Sequence, residues 1–522
     1  NLFRRHSPVI QNPCENVMTK RTIEIMDTTL RDGEQTSGVS FSISEKLTLS
    51  RLLLGELNVD RIEIASARVS VGELNAVKEI TQWAKSEGLD RRVEILGFVD
   101  GGTSIDWIIE TGAKVQNLLT KGSLNHLKHQ LKKTPDQHFK DIEKNVLAAK
   151  KEGIDTNVYL EDWSNGMRNS KDYVNEYLSF VTTLPVKRVL LPDTLGVMTY
   201  YETYAFISEV IKKYPEIHFD FHGHNDYDLS VANAMEAVRA GCHGLHLTVN
   251  GMGERAGNTP MASTVATLKD FLPNIKISIN ESSLYKVSKL VATFTGFRIP
   301  VNKPVVGQNV FTQTAGIHAD GDKKNNLYFN DLLPERFGRT REYALGKTSG
   351  KANIQKNLQK LGVTLNDDEV KKVTQRIIEL GDKKEIVTTE DLPYIISDVL
   401  KSNIEQKVAV ESYVLTHSKG LRPTTAVSLE IEGELLEENP SGDGQFDAFM
   451  NAIKKIYLRK NKELPVLIDY AVRIPPGSNS DALCETLITW KSYKKEFITR
   501  GLDSDQTVSA IKATEKMLNI IS

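Results

Sequence analysis

The sequence predicts an α/β protein: a (β/α)8 TIM barrel, then a small helical subdomain and an α+β C-terminal domain. Three observations support this prediction. Apolar runs of strand length alternate with segments of helical period from Thr22 to about Phe271. Nearly every such run ends in a polar or charged group. Beyond about Gln406, the pattern changes to pairs of alternating strands followed by a helix.

Length and composition limit the class of protein. A chain of 522 residues is too long for one hydrophobic core, so we expect two or three domains. The net charge of -2, without a long basic run, argues against nucleic acid or an anionic membrane surface as partners. No apolar run approaches the roughly 20 residues of a membrane span. The three cysteines match no metal or redox spacing, which favours a cytoplasmic location.

We predict four segments along the chain. Residues 1–20 lack periodicity and are expected to form a disordered extension. Residues 21–275 form the catalytic barrel, and residues 276–404 form a linker and helical subdomains. Residues 405–522 form the C-terminal domain.

The predicted barrel elements alternate regularly. The eight candidate strands are Thr22–Asp27, Arg61–Ala65, Val93–Phe98, Lys114–Leu119, Thr156–Leu160, Arg188–Pro192, His218–His222 and Gly244–Asn250. The amphipathic segments with helical period are Ser44–Leu57, Val71–Glu87, Asp136–Lys151, Ser170–Thr183, Tyr201–Tyr214, Leu229–Ala240 and Pro260–Phe271. Eight βα units over about 250 residues are typical of a TIM barrel.

A doubly wound open sheet would show the same alternation, and the polar groups that follow the strands decide between the two folds. These groups are Arg31 and Asp32, Ser66 and Arg68, Asp100, Lys121, Glu161 and Asp162, Asp193 and Thr194, His222 and His224, and the residues from Asn250 to Asn258. A barrel gathers all its strand ends on one rim, where its active sites lie, whereas an open sheet would scatter them. The barrel is therefore favoured.

Two of these rim segments predict a metal site. His222 and His224 are two residues apart, so their side chains point the same way if the strand continues that far. Together with the Asp32 carboxylate they make a mixed nitrogen and oxygen site for a divalent cation. The spacing does not choose among Mn, Mg, Zn and Co. Arg31 beside Asp32 suits an anionic substrate held on the metal.

A glycine-rich segment, Asn250–Thr259, follows the eighth predicted strand. Its three glycines allow tight turns and close backbone approach. Its spacing is neither G-x-G-x-x-G nor a Walker sequence, so it is weak evidence for phosphate binding. The segment is of interest because it is predicted to lie on the same barrel rim as the other polar groups.

Three segments together carry a family resemblance: Asp27–Gln35, His222–Asp226 and Gly251–Thr259. They resemble the DRE-TIM metallolyase superfamily, and within it the isopropylmalate, homocitrate and citramalate synthases. The resemblance continues through Gly316–Gly321 and Tyr343–Lys347 to the C-terminus. Segments around Phe98, Lys121 and Glu161 most resemble the bacterial citramalate synthases, which join acetyl-CoA to pyruvate.

The resemblance implies roles for individual residues. It implies that Asp32, His222 and His224 hold the metal ion, with Asn258 as a further ligand. Arg31 would stabilise the oxygen on which negative charge develops during carbon–carbon bond formation.

The resemblance also implies how the substrates are handled. Glu161 and His318 would act as the acid/base pair for the methyl proton of acetyl-CoA, with Tyr328 as a less certain member. Thr194 would hydrogen-bond the carboxylate of the oxo acid. The pocket wall would be built by Leu96, Leu119 and Tyr159, which leave room for a methyl group but not for an isopropyl group.

The segment around His318 lies outside the eight predicted strands. From its residues alone it is a solvated turn, whereas the resemblance implies that it reaches over the barrel of a neighbouring subunit in a homodimer. Helical patterns follow at Lys351–Leu361, Asp367–Leu380 and Thr389–Asn403. They predict a small subdomain that serves dimerisation and the acyl-CoA.

The C-terminal domain repeats the order strand, strand, helix. The predicted elements are Lys407–Thr416, Thr425–Leu435 and the helix Gln445–Ile456, then Val466–Ile474, Leu483–Tyr493 and the helix Thr507–Leu518. The resemblance implies that this domain binds a branched-chain amino acid as feedback inhibitor. That effector would be isoleucine if citramalate is made and leucine if isopropylmalate is made. The candidate effector residues, where the repeats meet, are Phe446, Asp447, Leu467, Tyr470 and Ile474. Packing in the core of a dimerising domain explains the aliphatic members nearly as well.

Three functions from different classes follow. The first is condensation of acetyl-CoA with a 2-oxo acid, with pyruvate as the expected acceptor and 2-oxoisovalerate as the alternative. The second is an acyl-CoA lyase of the same superfamily, against which the long C-terminal extension argues. The third is an inactive barrel that binds an effector, against which the intact set of polar rim residues argues.

Overall fold

The structure is a computed structural model. It describes residues 20–315, 327, 329–361, 363–382, 387, 389–400, 407–473, 484–493 and 496–522. These residues fall into two compact units, one within Asn1–Phe311 and Asn330–Thr340, the other within Thr312–Phe329 and Arg341–Ser522. The four predicted segments stay a prediction.

The first unit contains a closed barrel of eight parallel strands in sequential order, which confirms the predicted fold class. The strands are β1 (Glu24–Asp27), β2 (Arg61–Ser66), β3 (Val93–Phe98), β4 (Val115–Lys121), β5 (Asp155–Glu161), β6 (Val186–Asp193), β7 (Phe219–Gly223) and β8 (Gly244–Leu247). The first predicted strand was too long at its start, because Arg21–Thr22 pairs with Ile275–Lys276 as a separate two-stranded piece.

Eight helices follow the barrel strands. They are α1 (Ile43–Arg51), α2 (Val71–Ser86), α3 (Thr103–Thr111), α4 (Pro135–Lys151), α5 (Lys171–Val181), α6 (Tyr200–Lys213), α7 (Ser230–Ala240) and α8 (Met261–Phe271). Helix α3 was missing from the sequence prediction. It has nine residues, so Ile105 and Ile108 alone supply its buried large apolar face, too few to show a helical period.

Local sequence explains where several helices begin. Three of them start at a capping box. The hydroxyl of the residue before the helix accepts from the backbone N–H of the third helical residue, and the acidic or amide side chain of that third residue accepts from the backbone N–H of the residue before the helix. The pairs are Ser42 with Glu45, Thr134 with Gln137, and Thr199 with Glu202. Helix α1 continues as a π-helical turn, Leu52–Leu57, which ends at a left-handed Asn58.

The chain beyond α8 remains packed on the barrel unit. Helix α9 (Leu284–Thr295) and the short 3-10 helix Pro334–Phe337 contribute Leu284, Val291 and Phe337 to the same core as the barrel strands. The first compact unit therefore contains more than the eight βα units.

The second unit holds the helical subdomain and the C-terminal repeats. Its first helices are α10 (Lys351–Leu361), α11 (Asp367–Asp382) and α12 (Leu392–Leu400). The repeats contain β9 (Val408–Thr416), β10 (Thr424–Ile431), β11 (Glu434–Glu438), α13 (Gln445–Arg459), β12 (Val466–Arg473), β13 (Cys484–Lys491), β14 (Glu496–Asp503) and α14 (Gln506–Ile521). Each repeat is thus an antiparallel three-stranded sheet followed by a helix.

The sequence analysis predicted two strands per repeat, and this count was wrong. In the first repeat, Glu432 and Gly433 both have positive φ and form a tight turn that divides the predicted strand Thr425–Leu435. A glutamate at positive φ is uncommon, so the turn carried no recognisable signal.

In the second repeat, no strand was predicted between Tyr493 and Thr507, but β14 lies there and contains Gly501, a residue typical of turns. A Cβ atom at this position would collide with the backbone oxygen of Ser509 in α14. The glycine therefore marks a close approach between helix and strand, not a chain reversal. Among the described residues, no helix combines the length and apolar character needed to cross a membrane.

Candidate active site

The loop that follows β1 is folded tightly onto itself. The carbonyl oxygen of Thr28 accepts hydrogen bonds from the backbone N–H groups of Arg31, Asp32 and Gly33 at 3.2, 2.9 and 3.0 Å. The buried Asp27 carboxylate accepts from the N–H and hydroxyl of Thr29 at 2.9 and 2.8 Å. Burial raises the pKa of Asp27 to about 7, against the opposing effect of the Thr29 hydrogen bonds. These bonds present Arg31 and Asp32 side by side at the rim.

A buried lysine of helix α1 stabilises this loop. The ammonium group of Lys46 is fully buried and donates to the carbonyl oxygens of Leu30 and Ile64 at 3.1 and 3.2 Å. It also forms ion pairs with Glu34 and Glu73 at 2.6 and 2.7 Å. The sequence analysis missed Lys46, since a lysine in an amphipathic helix is normally solvent-exposed.

Arg31 is held by three polar groups. Its Nε donates to Glu63 at 2.6 Å, its NH1 lies 3.5 Å from Asp32, and its NH2 donates to the Tyr159 hydroxyl at 3.5 Å. Burial by itself would lower the Arg31 pKa, but the Asp32 and Glu63 carboxylates raise it above its usual value. Arg31 is therefore a fixed cation whose side chain is 9% exposed.

Asp32, His222 and His224 converge as predicted from the sequence. The Nε2 atom of His222 lies 3.1 Å from Asp32 and 3.4 Å from the Nε2 atom of His224. One donor atom from each residue lies within 4.8 Å of the others. Strand β7 ends at Gly223, but His224 stays aligned through an antiparallel bridge to Asn258.

The electrostatics of this trio suit a cation. Burial would raise the Asp32 pKa, but Arg31, followed by His222, lowers it well below its usual range. Burial, reinforced by His222, lowers the pKa of His224 to about 4. An ionised carboxylate beside a neutral imidazole is the protonation state that a metal requires of its ligands.

Asn258 is adjacent to this trio, because it forms the backbone bridge with His224. Its Nδ2 donates to the Met252 carbonyl at 3.0 Å, while its Oδ1 is buried without a hydrogen-bond partner among the described residues. The glycine-rich segment makes this placement possible, because a Cβ at Gly253 or Gly257 would collide with Asn258 or Gly251. Two imidazole nitrogens, a carboxylate and an orphaned amide oxygen fit a divalent cation.

Glu161 lies at the end of β5, where it forms an ion pair with Lys121 at the end of β4. Lys121 is itself anchored, since its backbone N–H donates to His138 at 3.2 Å and its carbonyl accepts from Tyr173 at 2.8 Å. The other two predicted acid/base residues, His318 and Tyr328, lie outside the described residues. The acid/base assignment stays a prediction.

Thr194 follows β6 on the same rim. Its hydroxyl accepts from the backbone N–H of Asp162 at 2.9 Å, and its carbonyl accepts from Arg255 at 2.9 Å. Asp162 is non-glycine, buried and at φ 65. Backbone conformations of this kind are common at functional sites, and this one is directly adjacent to Glu161.

The three predicted wall residues come together. Leu96, Tyr159 and Leu190 form a buried cluster, with Phe98 and Leu119 packed against it. The barrel register aligns Leu119 with Tyr159 and Tyr159 with Leu190 on neighbouring strands. Leu190 and Phe98 were absent from the sequence prediction.

The barrel interior also contains buried polar side chains that sequence reasoning missed. They are Arg61, Glu63, Glu94, Asn117, Asn157, Asp220 and His246. Asn117 donates to Glu63 at 2.7 Å, and Arg61 pairs with both Glu94 and Asp220. The sequence did contain a signal for these residues, because several of them interrupt otherwise apolar strands at positions that face the barrel interior.

Comparison with known proteins places this geometry in a family. Residues 22–291 match the HMGL-like family. The chain belongs to this family. Residues 305–385 match the homocitrate synthase post-HMGL domain-like family, and residues 386–522 match the LeuA allosteric (dimerisation) domain.

Individual relatives agree with this membership. The chain is 32% identical to the 2-isopropylmalate synthase of Methanocaldococcus jannaschii over 100% of its own length and 98% of that protein. It is also 32% identical to the (R)-citramalate synthase of the same organism, over 96% and 99%. Among solved structures, the HMG-CoA lyase of Bacillus subtilis is 19% identical and covers 54% of this chain and 97% of its own, with a TM-score of 0.47.

These findings confirm the predicted resemblance to the DRE-TIM synthases. This HMGL-like chain is an acyltransferase of that superfamily.

Within the LeuA-type domain, the predicted effector residues are only partly brought together. The rings of Phe446 and Tyr470 lie 5.3 Å apart, and both pack against the core of the two repeats. Asp447 instead accepts hydrogen bonds from the Asp443 backbone at 2.9 Å and from Asn451 at 3.3 Å. Leu467 is 39% exposed on an edge strand, and Ile474 lies outside the described residues.

Proposed function

We propose that this enzyme condenses acetyl-CoA with pyruvate, giving (R)-citramalate and CoA for isoleucine biosynthesis. Condensation of acetyl-CoA with a 2-oxo acid is the chemistry of the synthases in this family. The choice of pyruvate rests on one observation. The apolar wall of Leu96, Tyr159 and Leu190 reaches Arg31 through the Tyr159 hydroxyl, so bulky side chains narrow the space beside the cation.

The metal-binding residues would be Asp32, His222 and His224, with the orphaned Oδ1 of Asn258 as a further donor. A divalent ion bound there supplies Lewis-acid polarisation of a carbonyl group. These side chains are themselves shielded from solvent, since Asp32, His222 and Asn258 are each less than 5% exposed.

Arg31 would stabilise the alkoxide that develops on the keto oxygen of the oxo acid. Its guanidinium needs no reorganisation during the reaction, because Glu63 and Tyr159 already hold it. The hydroxyl of Thr194 would contact the carboxylate of the oxo acid in exchange for its contact with the Asp162 backbone.

Glu161 would accept a methyl proton from acetyl-CoA, and the resulting carbanion equivalent would attack the keto carbon. The acid/base group would then return a proton to the alkoxide, which becomes the hydroxyl group of the product. Lys121 would orient the Glu161 carboxylate through their ion pair. Hydrolysis of the thioester then adds water across the C–S bond and releases CoA as the thiol. His318 and Tyr328 would complete the acid/base group, in accordance with the family resemblance.

2-Isopropylmalate synthase, with 2-oxoisovalerate as acceptor, is the alternative, and full-length similarity to a protein of that name supports it. One methylene in an apolar pocket discriminates by only about 1–3 kcal/mol, so the two reactions are separated by a few side-chain atoms. An acyl-CoA lyase is less favoured, because the LeuA-type domain occupies residues 386–522.

We also propose a homodimer whose C-terminal domain binds isoleucine, or leucine if isopropylmalate is made. The match to the LeuA allosteric (dimerisation) domain supports both parts. The contact between Phe446 and Tyr470 offers an apolar surface for an aliphatic side chain.

The decisive measurement is thiol release from acetyl-CoA with each 2-oxo acid in turn. We expect the highest kcat/KM with pyruvate, followed by 2-oxobutyrate and then 2-oxoisovalerate. A higher kcat/KM with 2-oxoisovalerate would replace the citramalate assignment by the isopropylmalate one. Thiol release that does not depend on any oxo acid would contradict the condensation itself.

A further inference from the structure

The hydroxyl group of Tyr159 connects the apolar wall to the polar interior of the barrel. Tyr159 is 3% exposed, and its ring belongs to the cluster with Leu96 and Leu190. Its hydroxyl lies 2.9 Å from Nδ1 of His246 and 3.5 Å from NH2 of Arg31. One buried side chain therefore contacts both the proposed substrate wall and the proposed transition-state cation.

The imidazole of His246 is in turn held by Asp220. Its Nε2 lies 3.2 Å from the Asp220 carboxylate, which also pairs with Arg61. A carboxylate only accepts, so Nε2 of His246 carries the hydrogen and Nδ1 is the acceptor. Tyr159 then donates to His246, and its oxygen is left to accept from Arg31. The donors run in one direction, from Arg31 through Tyr159 and His246 to Asp220.

These contacts differ from the rest of the wall because they are directional. The leucines around the Tyr159 ring exclude water but specify no orientation, since apolar contacts are non-directional. The ring also meets the imidazoles of His246 and His222 edge-on, with centroids 5.5 and 5.9 Å apart. The two hydroxyl contacts select the ring position, and the bond to His246 at 2.9 Å is shorter than the one to Arg31 at 3.5 Å.

We propose that His246 is a positioning residue that fixes Tyr159 and thereby sets both the width of the oxo-acid pocket and the aim of Arg31. This inference rests on the proposed condensation of acetyl-CoA with a 2-oxo acid. Without its acceptor, the hydrogen of the buried Tyr159 hydroxyl would be unpaired, and the ring would move to find another acceptor. The pocket would then admit larger acceptors.

The test compares two substitutions of His246 with a matched control. His246→Leu removes the acceptor, whereas an amide in His246→Gln can still accept from Tyr159 and donate to Asp220. Tyr214→Phe is the control, because Tyr214 is also buried but its hydroxyl donates to the Asn175 carbonyl of helix α5 at 2.8 Å, outside the barrel strands. The readout is the ratio of kcat/KM for pyruvate to that for 2-oxoisovalerate, with kcat and KM reported separately.

We expect His246→Leu to lower this ratio about tenfold and to lower kcat for pyruvate more than it raises KM. We expect His246→Gln to restore most of the ratio and Tyr214→Phe to leave it unchanged. An unchanged ratio in His246→Leu, or an equal change in Tyr214→Phe, would overturn the proposal. If His246→Leu does not fold, Tyr159→Phe decides, because it removes the same hydrogen bond and must lower the ratio too.

A double-mutant cycle separates positioning from a direct effect. If His246 acts through the Tyr159 hydroxyl, His246→Leu should change the ratio little in the Tyr159→Phe background. Additive changes would overturn the proposal. A wild-type protein inactive with every oxo acid would refute the proposed function, whereas an active one with an unaltered ratio in His246→Leu would refute this inference alone. A wild type that prefers 2-oxoisovalerate leaves the test intact, because the change in the ratio is what is measured.

Discussion

The Nε2 atom of His222 lies 3.1 Å from the carboxylate of Asp32, although 190 residues separate them in the chain. Closure of the barrel brings them together, because β8 pairs with both β1 and β7. Both residues belong to the trio Asp32, His222 and His224. Among the described residues, this is the only group of three or more His, Cys, Asp or Glu side chains whose donor atoms lie close enough together to hold one metal ion.

His222→Ala should abolish turnover while leaving the fold intact, since it removes one of three proposed ligands. The measurement is thiol release after chelation and after re-addition of Mn²⁺ or Mg²⁺, together with the melting temperature with and without metal. Metal should raise the melting temperature of the wild type but not of the variant. His129→Ala is the control, because His129 is exposed. Full activity of chelated wild-type protein would contradict the metal assignment.

Arg31→Lys should lower kcat by about 10²-fold or more, because lysine keeps the charge but loses the planar fork that contacts Glu63 and Tyr159. Steady-state kinetics with pyruvate and acetyl-CoA measure this directly. Arg239→Lys, at an exposed position on α7, should leave kcat unchanged. A raised KM at constant kcat would instead assign Arg31 to ground-state binding.

Lys46→Met should destabilise the barrel unit by roughly 3–5 kcal/mol, because it leaves Glu34 and Glu73 without their shared cation. Urea unfolding followed by tryptophan fluorescence reports on this unit, which holds Trp83, Trp107 and Trp163 of the four tryptophans. Lys78→Met, which breaks an exposed pair with Glu110, should cost less than about 1 kcal/mol. Equal effects of the two substitutions would show that Lys46 does not brace the loop.

His138 should make stability fall as the pH is lowered from about 6.5 to 4. Burial, reinforced by Lys133, lowers the His138 pKa from 6.5 to about 4 in the folded protein. Within this window the unfolded chain binds a proton that the folded chain does not, so the contribution is present above pH 6.5 and is lost as the pH falls.

The comparison of His138→Gln with wild type isolates this contribution. The slope of unfolding free energy against pH between 4 and 6.5 should be smaller in His138→Gln, by up to about 1.4 kcal/mol per pH unit. His129→Gln, at an exposed site, should retain the wild-type slope. Parallel slopes for wild type and His138→Gln would show that His138 is not kept neutral by the fold.

Isoleucine should weaken acetyl-CoA binding to the full chain and thereby raise the KM for acetyl-CoA. If the sites are coupled, acetyl-CoA should weaken isoleucine binding by the same factor in dissociation constant. Phe446→Ala should raise the isoleucine concentration for half-inhibition, because it removes a ring that contacts Tyr470. Leu435→Ala, on the exposed surface of β11, serves as control. Inhibition by leucine alone would favour the isopropylmalate assignment, and indifference to both amino acids would contradict the regulatory role.

The amino-acid sequence by itself determined the barrel and most of the rim. Strand and helix periods are local properties, so the order of the βα units was visible without tertiary contacts. The metal residues were also visible, because His222 and His224 follow one strand and Asp32 follows another, and every barrel gathers its strand ends on one face. The wall residues Leu96, Leu119 and Tyr159 followed from the family resemblance.

Tertiary structure decided which buried polar groups pair with one another. Glu63, Asp220 and His246 lie inside strands that are otherwise apolar, and their partners depend on the register between strands, which no local pattern encodes. Lys46 lies on the buried face of its own helix with Leu49, and its charge is stable there because two carboxylates from other elements pair with it. Position 501 of β14 requires a glycine because a helix packs closely on the strand there. In each case the energy of a buried polar group or a close backbone approach depends on neighbours that are distant in sequence.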